Sequence, residues 1–460
     1  MNRRVTICLA VVALMAVAWA GWAEQTWPKV APDNAVGPDQ PFTFAVCGDN
    51  RPSGADQPMP PVYLQILQAI NDTDAQLVIN TGDIILGSTD LDLMNRELDG
   101  FVAATDELKA PCYVAYGNHE LRSAECLQVL ERRIGPSYFA FSWGNCRFYV
   151  LNTYVPGESG QITGEQLAWF RSDLADQGAK AAHRFVFLHA PLFSPMNDIG
   201  KRHWGDPANL QELQELLADS QVDVVFSGHD HYFAWRMVDG VQHIVTGGAG
   251  APPYQAPGAL SIHHFMLVQV NGERLSIKLV PMETPQVAAG QDEDENEGGA
   301  VVLARGSKGW RVTEAYPTEP PPDRDGKKWY EPGYDAGDWQ EAALPLGYKR
   351  GADVQFATEV ADNGGDYYVA GDFTAPAGTE TKPLLLRLNS DNGAVVYING
   401  KLVDEDPAAL NPPGHNPAYW NRTVGIAPGV VRAGQNHIAI RLANNKGSSD
   451  AFLDLEIAEK

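Results

Sequence analysis

The sequence predicts an α/β layered domain followed by an all-β module. Three observations carry this. From residue 42 to about 230, short apolar strands alternate with helical periodicity. From Tyr232 to Leu279 the pattern becomes hairpins. Beyond an acidic run at Asp292–Glu297, Pro, Gly and aromatic residues punctuate short strands, without a convincing amphipathic helix. At 460 residues the chain exceeds one ordinary core, so two domains are expected. Their expected bounds are 41–283 and 300–460, joined by a linker at 284–299.

Phe42–Val46 opens the series as a strand, and Val62–Ile70 has helical periodicity. Gln76–Asn80 is a strand whose Leu77, Val78 and Ile79 run continuously apolar, as in a sheet covered on both faces. A helix is predicted near Leu91–Leu108, then a strand at Cys112–Tyr116 and a strand pair at Phe139–Trp143 and Arg147–Leu151. Thr163–Asp176 is a helix in which Thr163, with Gln166 three residues on, has the form of a capping box. Phe185–Leu188, a helix near Leu210–Leu217 and Val222–Phe226 continue the alternation. In the second half, Val395–Ile398, Asn399-Gly400 and Leu402-Val403 read as a hairpin with a type I′ turn. His437–Leu442 alternates like a half-buried strand.

The N-terminus reads as a signal peptide at 1–23, with Arg3 and Arg4 before the uncharged run Val5–Ala18 and small residues at Ala18-Trp19-Ala20 and Gly21-Trp22-Ala23. The run is shorter than the ~20 residues that span a bilayer. An uncleaved anchor is the alternative. The expected location is outside the cytoplasm, periplasmic or extracellular, with no membrane span in the mature chain. Residues 24–40 are a polar, Pro-rich lead-in. The net charge of -24 repels polyanions at long range, so nucleic acid is not an expected partner. Cys47, Cys112, Cys126 and Cys146 lack metal-site spacing and read as structural. Cys47 and Cys112 are expected at opposite ends of their strands, offset by ~13 Å and beyond disulfide reach. Cys126 with Cys146 is the more plausible bridge.

Polar residues collect at the C-terminal ends of the buried strands, where α/β sheets bind ligands. The ends read Gly48-Asp49-Asn50-Arg51, Thr81-Gly82-Asp83, Gly117-Asn118-His119-Glu120, His189-Ala190-Pro191 and Gly228-His229-Asp230-His231. Each alone is an ordinary turn or surface histidine. Together they deliver carboxylate, amide oxygen and imidazole at successive strand ends, a donor set that suits Mn, Fe or Zn and lacks the thiolates of a structural zinc knot.

This order of motifs, over residues 42 to about 281, resembles the calcineurin-like metallophosphoesterase superfamily, which includes purple acid phosphatases. Thr246–Pro252 is similar to a glycine-rich segment found after the last metal motif in many members. The resemblance implies a layered αββα sandwich and two transition-metal ions, divalent or mixed-valence (Fe, Mn or Zn). It implies one metal on Asp49, Asp83 and His231, and a second on Asp83, Asn118, His189 and His229, with Asp83 bridging. Such a pair holds a hydroxide for attack on phosphomonoesters or phosphodiesters and neutralises charge on the phosphoryl oxygens. His119, beside a ligand position, is the candidate general acid, with Glu120 either orienting its imidazole or solvated. Asp230 is read as a turn residue.

Two positions depart from the family pattern. Arg51 stands where a His is usual, so the first metal has one fewer protein ligand unless Asn50 helps. A guanidinium cannot ligate a cation, and Arg51 is read as a bidentate clamp on substrate phosphate. Leu86 stands where purple acid phosphatases place a metal-bound Tyr, so the tyrosinate-to-iron colour is not expected.

The second half has its own resemblance, carried by Trp329–Asp335 with Trp339 and by Asp391–Gly400, to a galactose-binding-like β-sandwich of bacterial exported enzymes. It implies carbohydrate binding or a docking role. The overall expectation is an exported phosphoester hydrolase acting on a small-molecule ester. The competing one is a binding protein with a vestigial metal site that works through its β-sandwich.

Overall fold

The computed structural model describes residues 36–38, 40–198, 203–282, 299–349, 356–391, 393–406, 422–444 and 450–460. The predicted signal peptide at 1–23, the lead-in up to residue 35 and linker residues 284–298 lie outside them. No helix among the described residues is long and apolar enough to cross a membrane.

The first half runs β1 (Phe42–Cys47), α1 (Pro61–Asn71), β2 (Ala75–Asn80), α2 (Leu91–Thr105), β3 (Cys112–Val114), α3 (Ala124–Arg133), β4 (Phe139–Trp143) and β5 (Cys146–Val150). It continues α4 (Gly164–Asp176), β6 (His183–Leu188), α5 (Pro207–Asp219), β7 (Val224–Ser227), β8 (Phe233–Val238), β9 (Val241–Thr246), β10 (His264–Asn271) and β11 (Arg274–Pro281). Two sheets face each other. One contains the order β11-β10-β1-β2-β3 and the other β4-β5-β6-β7-β9-β8. Phe44, Val46, Leu77 and Ile79 from one meet Phe148, Phe185, Phe187 and Phe226 from the other in a shared apolar core. Alternate residues of the first sheet, Ala45, Cys47 and Val78, pack outward against α1, α2 and α3. The second sheet turns Tyr149, Val186, Leu188 and Val225 towards α4 and α5. Burial on both faces explains the uninterrupted apolar strands. The layers are helix, sheet, sheet, helix, as the resemblance implied.

Parallel pairing aligns β1, β2 and β3 with one another in the first sheet, and β5, β6, β7 and β9 with one another in the second. Asp83 after β2 and His189 after β6 lie 3.3 Å apart, so the C-terminal ends of both sets share one edge of the double sheet.

Several local expectations are corrected. α3 was not foreseen; only Cys126, Val129 and Leu130 are buried along it, too thin a stripe to signal helix. The capping box of α4 does not form. Thr163 Oγ1 donates to Glu158, and Gln166 bonds the backbone of Asn152 on both its amide atoms. The Cys126–Cys146 bridge is absent, and all four cysteines are free and buried. Cys126 sits on α3 and Cys146 begins β5 in the other sheet. Cys47 and Cys112 are indeed unbridged, but the main reason is that β2 lies between their strands.

The second half is built of β12 (Val301–Leu303), β13 (Lys308–Thr313), β14 (Gln340–Ala343), β15 (Leu346–Lys349), β16 (Thr358–Glu359) and β17 (Tyr367–Ala375). Then come β18 (Leu384–Ser390), β19 (Ala394–Ile398), β20 (Lys401–Glu405), β21 (Arg422–Ile426), β22 (Gly434–Leu442) and β23 (Asp450–Glu459). Asn399 and Gly400 have φ 52° and 78°, the two left-handed residues of the type I′ turn between β19 and β20. Leu386, Leu388 and Leu455 on one sheet meet Val369, Val396 and Ile440 on the other across one core. Trp329, Tyr334 and Trp339 are buried in a second cluster with Tyr368. The two halves are not separate beads: β21 pairs antiparallel with β11, so one sheet runs through both. At the seam Arg422 forks onto Asp404 at 2.7 and 2.8 Å, and Lys278 meets Asp406 at 2.9 Å, all buried.

Candidate metal centre

The shared strand edge gathers every predicted ligand position. Asp49 follows β1, Asp83 follows β2 and Asn118 follows β3, all on the first sheet. His189 follows β6, and His229 and His231 follow β7, on the second. Asp49, Asp83 and His229 have φ 58°, 54° and 71°, a left-handed backbone that side chains other than glycine rarely adopt. Such strain persists where surrounding structure over-determines it, and here the loops are tightly knit. The Asp49 N–H donates to Gly82 O at 2.8 Å, Arg51 N–H to Asp83 O at 3.0 Å, and Ala251 N–H to Asp49 O at 2.7 Å. The last bond belongs to the glycine-rich segment at 246–252. Two glycines are obligatory for space: a Cβ on Gly117 would stand 2.2 Å from Asp83 Oδ1, and one on Gly228 2.5 Å from Asp49 Oδ2.

The donor atoms converge. His189 Nε2 is 3.3 Å from Asp83 Oδ1, 3.3 Å from Asn118 Oδ1 and 3.2 Å from His229 Nδ1, which is itself 2.8 Å from Asn118 Oδ1. His189 Nδ1–H is spent on Thr81 O at 2.7 Å, so its Nε2 presents a lone pair inward. His231 Nδ1–H donates to Pro252 O at 3.1 Å, which turns Nε2 to Asp49 Oδ1 at 3.5 Å. Asp49 Oδ1 is buried without a hydrogen-bond partner. Asp49, Asp83 and His189 offer ligand atoms all within 4.8 Å of one another. Lone pairs packed this closely repel unless a cation lies among them, so the donor chemistry fits metal. The same crowding appears in the ionisation of these groups. Burial, then the Asp83 charge, raises Asp49 well above the carboxylate range. Burial opposes ionisation of Asp83 too, but the His189 and His119 imidazoles outweigh it and hold Asp83 low. Burial pushes His229 to about 3 and His231 to about 4, which keeps both neutral and able to ligate.

Arg51 and His119 both lie at Asp83 Oδ2, with Arg51 Nε and His119 Nε2 each 3.7 Å away. Arg51 Nε is buried and unpartnered, and Nη1 reaches only Pro52 O at 3.4 Å. His119 Nδ1 is 2.6 Å from Leu86 O and 2.9 Å from Arg122 Nη2. Both neighbours cannot be served by one nitrogen, and the shorter contact to a carbonyl makes Nδ1 the donor. Burial lowers the His119 pKa, with Asp83 opposing. Asn50 does not substitute for the missing ligand, since its Oδ1 accepts from Asn80 Nδ2 at 2.7 Å.

Glu120 does not touch the His119 ring. Its Oε1 accepts from Ile84 N at 2.7 Å and Ile85 N at 3.2 Å, and its Oε2 from Gly117 N at 2.7 Å and Asp83 N at 3.0 Å. It ties the Asp83 loop to the Asn118 loop. Asp230 is saturated, as a turn residue should be. It accepts from Ser194 and from Tyr232 at 2.8 Å on Oδ2, and from Tyr254 at 2.8 Å on Oδ1, with His203 Nε2 3.0 Å from Oδ1. His203, whose ring centre is 4.4 Å from that of His229, was not foreseen. It comes from an irregular stretch between a helical turn at Pro195–Asp198 and α5, with no strand end to mark it. Tyr154, edge-on to His189 at 5.8 Å, was likewise missed.

Buried oxygen and imidazole donors thus meet where the strand ends of the two sheets converge, a donor set suited to transition-metal ions. This half of the chain is similar to known proteins. Residues 42–233 match the family model for calcineurin-like phosphoesterase. Purple acid phosphatase 21 of Arabidopsis thaliana is 27% identical over 212 residues, 42% of this chain and 44% of that protein. Serine/threonine-protein phosphatase CPPED1 of Bos taurus is 29% identical over 161 residues, 32% of this chain and 50% of that protein. The solved structure of purple acid phosphatase PPD1 from yellow lupin (Lupinus luteus) aligns at 17% identity over 54% of this chain and 53% of that one, with a TM-score of 0.44. The chain spans about half the length of these curated relatives. The α/β half is thus similar, over residues 42–233, to calcineurin-like phosphoesterases.

Proposed function

We propose that this protein hydrolyses small-molecule phosphate esters at a two-metal centre held by Asp49, Asp83, Asn118, His189, His229 and His231. The observation that carries this is the convergence of oxygen and imidazole donors from six strand-end positions on one buried edge. Divalent ions there supply Lewis acidity and a water deprotonated at neutral pH. The chain's own groups do the rest. Arg51, with Nε unspent, offers a planar fork to phosphate oxygens. His119 holds its Nδ1–H on Leu86, which turns Nε2 to the site, and the imidazolium form can pass its Nε2 proton to the leaving oxygen. The competing reading, a binding protein with a decayed site, predicts lost donors; the donor set here departs from the family pattern at Arg51 and, against purple acid phosphatases, at Leu86, and keeps the other six positions.

Metal analysis together with hydrolysis of a chromogenic aryl phosphate tests the reading. Absence of both metal and turnover would refute it. His119→Ala is expected to keep the metals and lose most turnover on alkyl esters, with smaller losses on aryl esters, whose leaving groups need less protonation. Equal losses on both would remove His119 from the acid role.

Export is part of the proposal, supported by the Arg3-Arg4 start and the apolar run Val5–Ala18. N-terminal sequencing of secreted protein should begin at Gly21 or Glu24. For the second half, the motif resemblance supports a galactose-binding-like module. Burial of Trp329, Tyr334 and Trp339 favours docking over a sugar platform, and glycan-array binding of the full chain tests this.

A further inference from the structure

We propose that the two halves of the metal centre are unequal, one ion being held tightly by Asp83, Asn118, His189 and His229, the other weakly beside Arg51. The inference rests on the two-metal reading above and goes beyond it. In the first half-site, four contacts among donors of opposite sheets span 2.8 to 3.3 Å. Tetrahedral donors ~2.0–2.1 Å from a small ion would stand ~3.3 Å apart, so these four spacings match such a shell. Asn118, His189 and His229 are neutral ligands, and Thr81 fixes the tautomer of His189 from behind.

The other half-site differs in number and in charge. Asp49, the second oxygen of Asp83, and His231 are its donors. At the fourth place stands a permanent cation with no lone pair to give. Arg51 Nε lies 3.7 Å from Asp83 Oδ2, the oxygen this ion must share. The guanidinium cannot readily leave. Its side chain is only 16% exposed, and its backbone N–H is tied to Asp83 O at 3.0 Å. A second ion bound here loses one ligand and gains a buried like charge.

Titration of the metal-stripped full chain with Zn(II), followed by calorimetry and by metal analysis after dialysis, tests this. Two binding steps are expected, separated by at least about 10-fold in Kd, the scale on which losing a ligand-supporting contact is felt. One ion per chain should survive dialysis. Arg51→Met removes the charge and should tighten only the weak step. Arg51→His adds an imidazole and should tighten it further, by about 10- to 100-fold over the parent. Asp49→Asn should abolish the weak step and spare the tight one; it decides alone if the Arg51 variants do not fold. Two ions of equal affinity in the parent, or a weak step unmoved by Arg51→Met, would overturn the inequality while leaving the two-metal reading intact. Binding of no ion at all would overturn both.

Discussion

Glu120 is the residue whose replacement most directly tests the construction of the site. Its carboxyl is fully buried and spends two N–H acceptances on each oxygen: Ile84 and Ile85 on Oε1, Gly117 and Asp83 on Oε2. Burial, then the Asp83 charge, pushes it up to about 8, and the backbone donors pull it back. With four N–H groups on two oxygens, a carboxyl proton would have to displace one of them. Glu120→Gln keeps size and shape but turns one oxygen into an NH2 group. Gln can still serve one pair of N–H donors; the other pair faces a donor instead. A stranded buried donor costs about 1–3 kcal/mol, so two place the loss at about 2–6 kcal/mol, reduced by whatever the relief from the Asp83 charge returns. The loops carrying Asp83 and Asn118 lose their common tie, so metal affinity should fall by about 10- to 100-fold as well. Urea unfolding of parent and variant in chelator, followed by Zn(II) titration, measures both. A midpoint and a metal affinity unchanged within error would refute the idea that this carboxyl assembles the site.

Chelation should lower the melting temperature of the parent, and added Zn(II) or Mn(II) should restore it, because an ion that binds only the folded chain stabilises it by about 2.7 kcal/mol at 100 times its Kd. Acid should destabilise the fold through His243 and His264. Burial, then the Arg236 charge, pushes His243 to about 3, and burial pushes His264 to about 4, so both stay neutral in the folded chain. Unfolded, each takes a proton near pH 6.5; their contribution is complete above that pH and drains as pH falls towards 4 and 3. His243→Gln should flatten that slope by up to about 1.4 kcal/mol per pH unit in urea titrations run between pH 4 and 6.5, and an unaltered slope would contradict the assignment. Arg422→Met strips the bidentate fork from the buried Asp404 carboxylate, for an expected loss of about 3–5 kcal/mol in denaturant unfolding. A loss below about 1 kcal/mol would mean that the seam between the halves is not held by this pair.

The sequence alone determined the α/β layers, because strands buried on both faces must be apolar throughout and helices between them keep a 3.6-residue period. It also placed each candidate donor just after such a strand, where the chain must turn and where parallel strands bring their ends together. Asn399-Gly400 announced its own hairpin, for a two-residue I′ turn demands left-handed conformations at both positions. These are local facts, written in neighbouring residues.

What only the tertiary structure decided depends on residues distant in sequence. The jobs of Glu120 and Asn50 are visible only once three loops are packed side by side, because nothing in Gly-Asn-His-Glu says whether the last acid meets water or four backbone N–H groups. His203 joins the site from an irregular stretch that has no period to read. Cys126 and Cys146 could pair in a list of cysteines, but a helix outside one sheet and a strand in the other keep them apart. The continuity of β11 with β21 was equally hidden. A strand records which of its faces is buried, whereas its neighbours are chosen by backbone N–H and C=O groups that every residue carries alike.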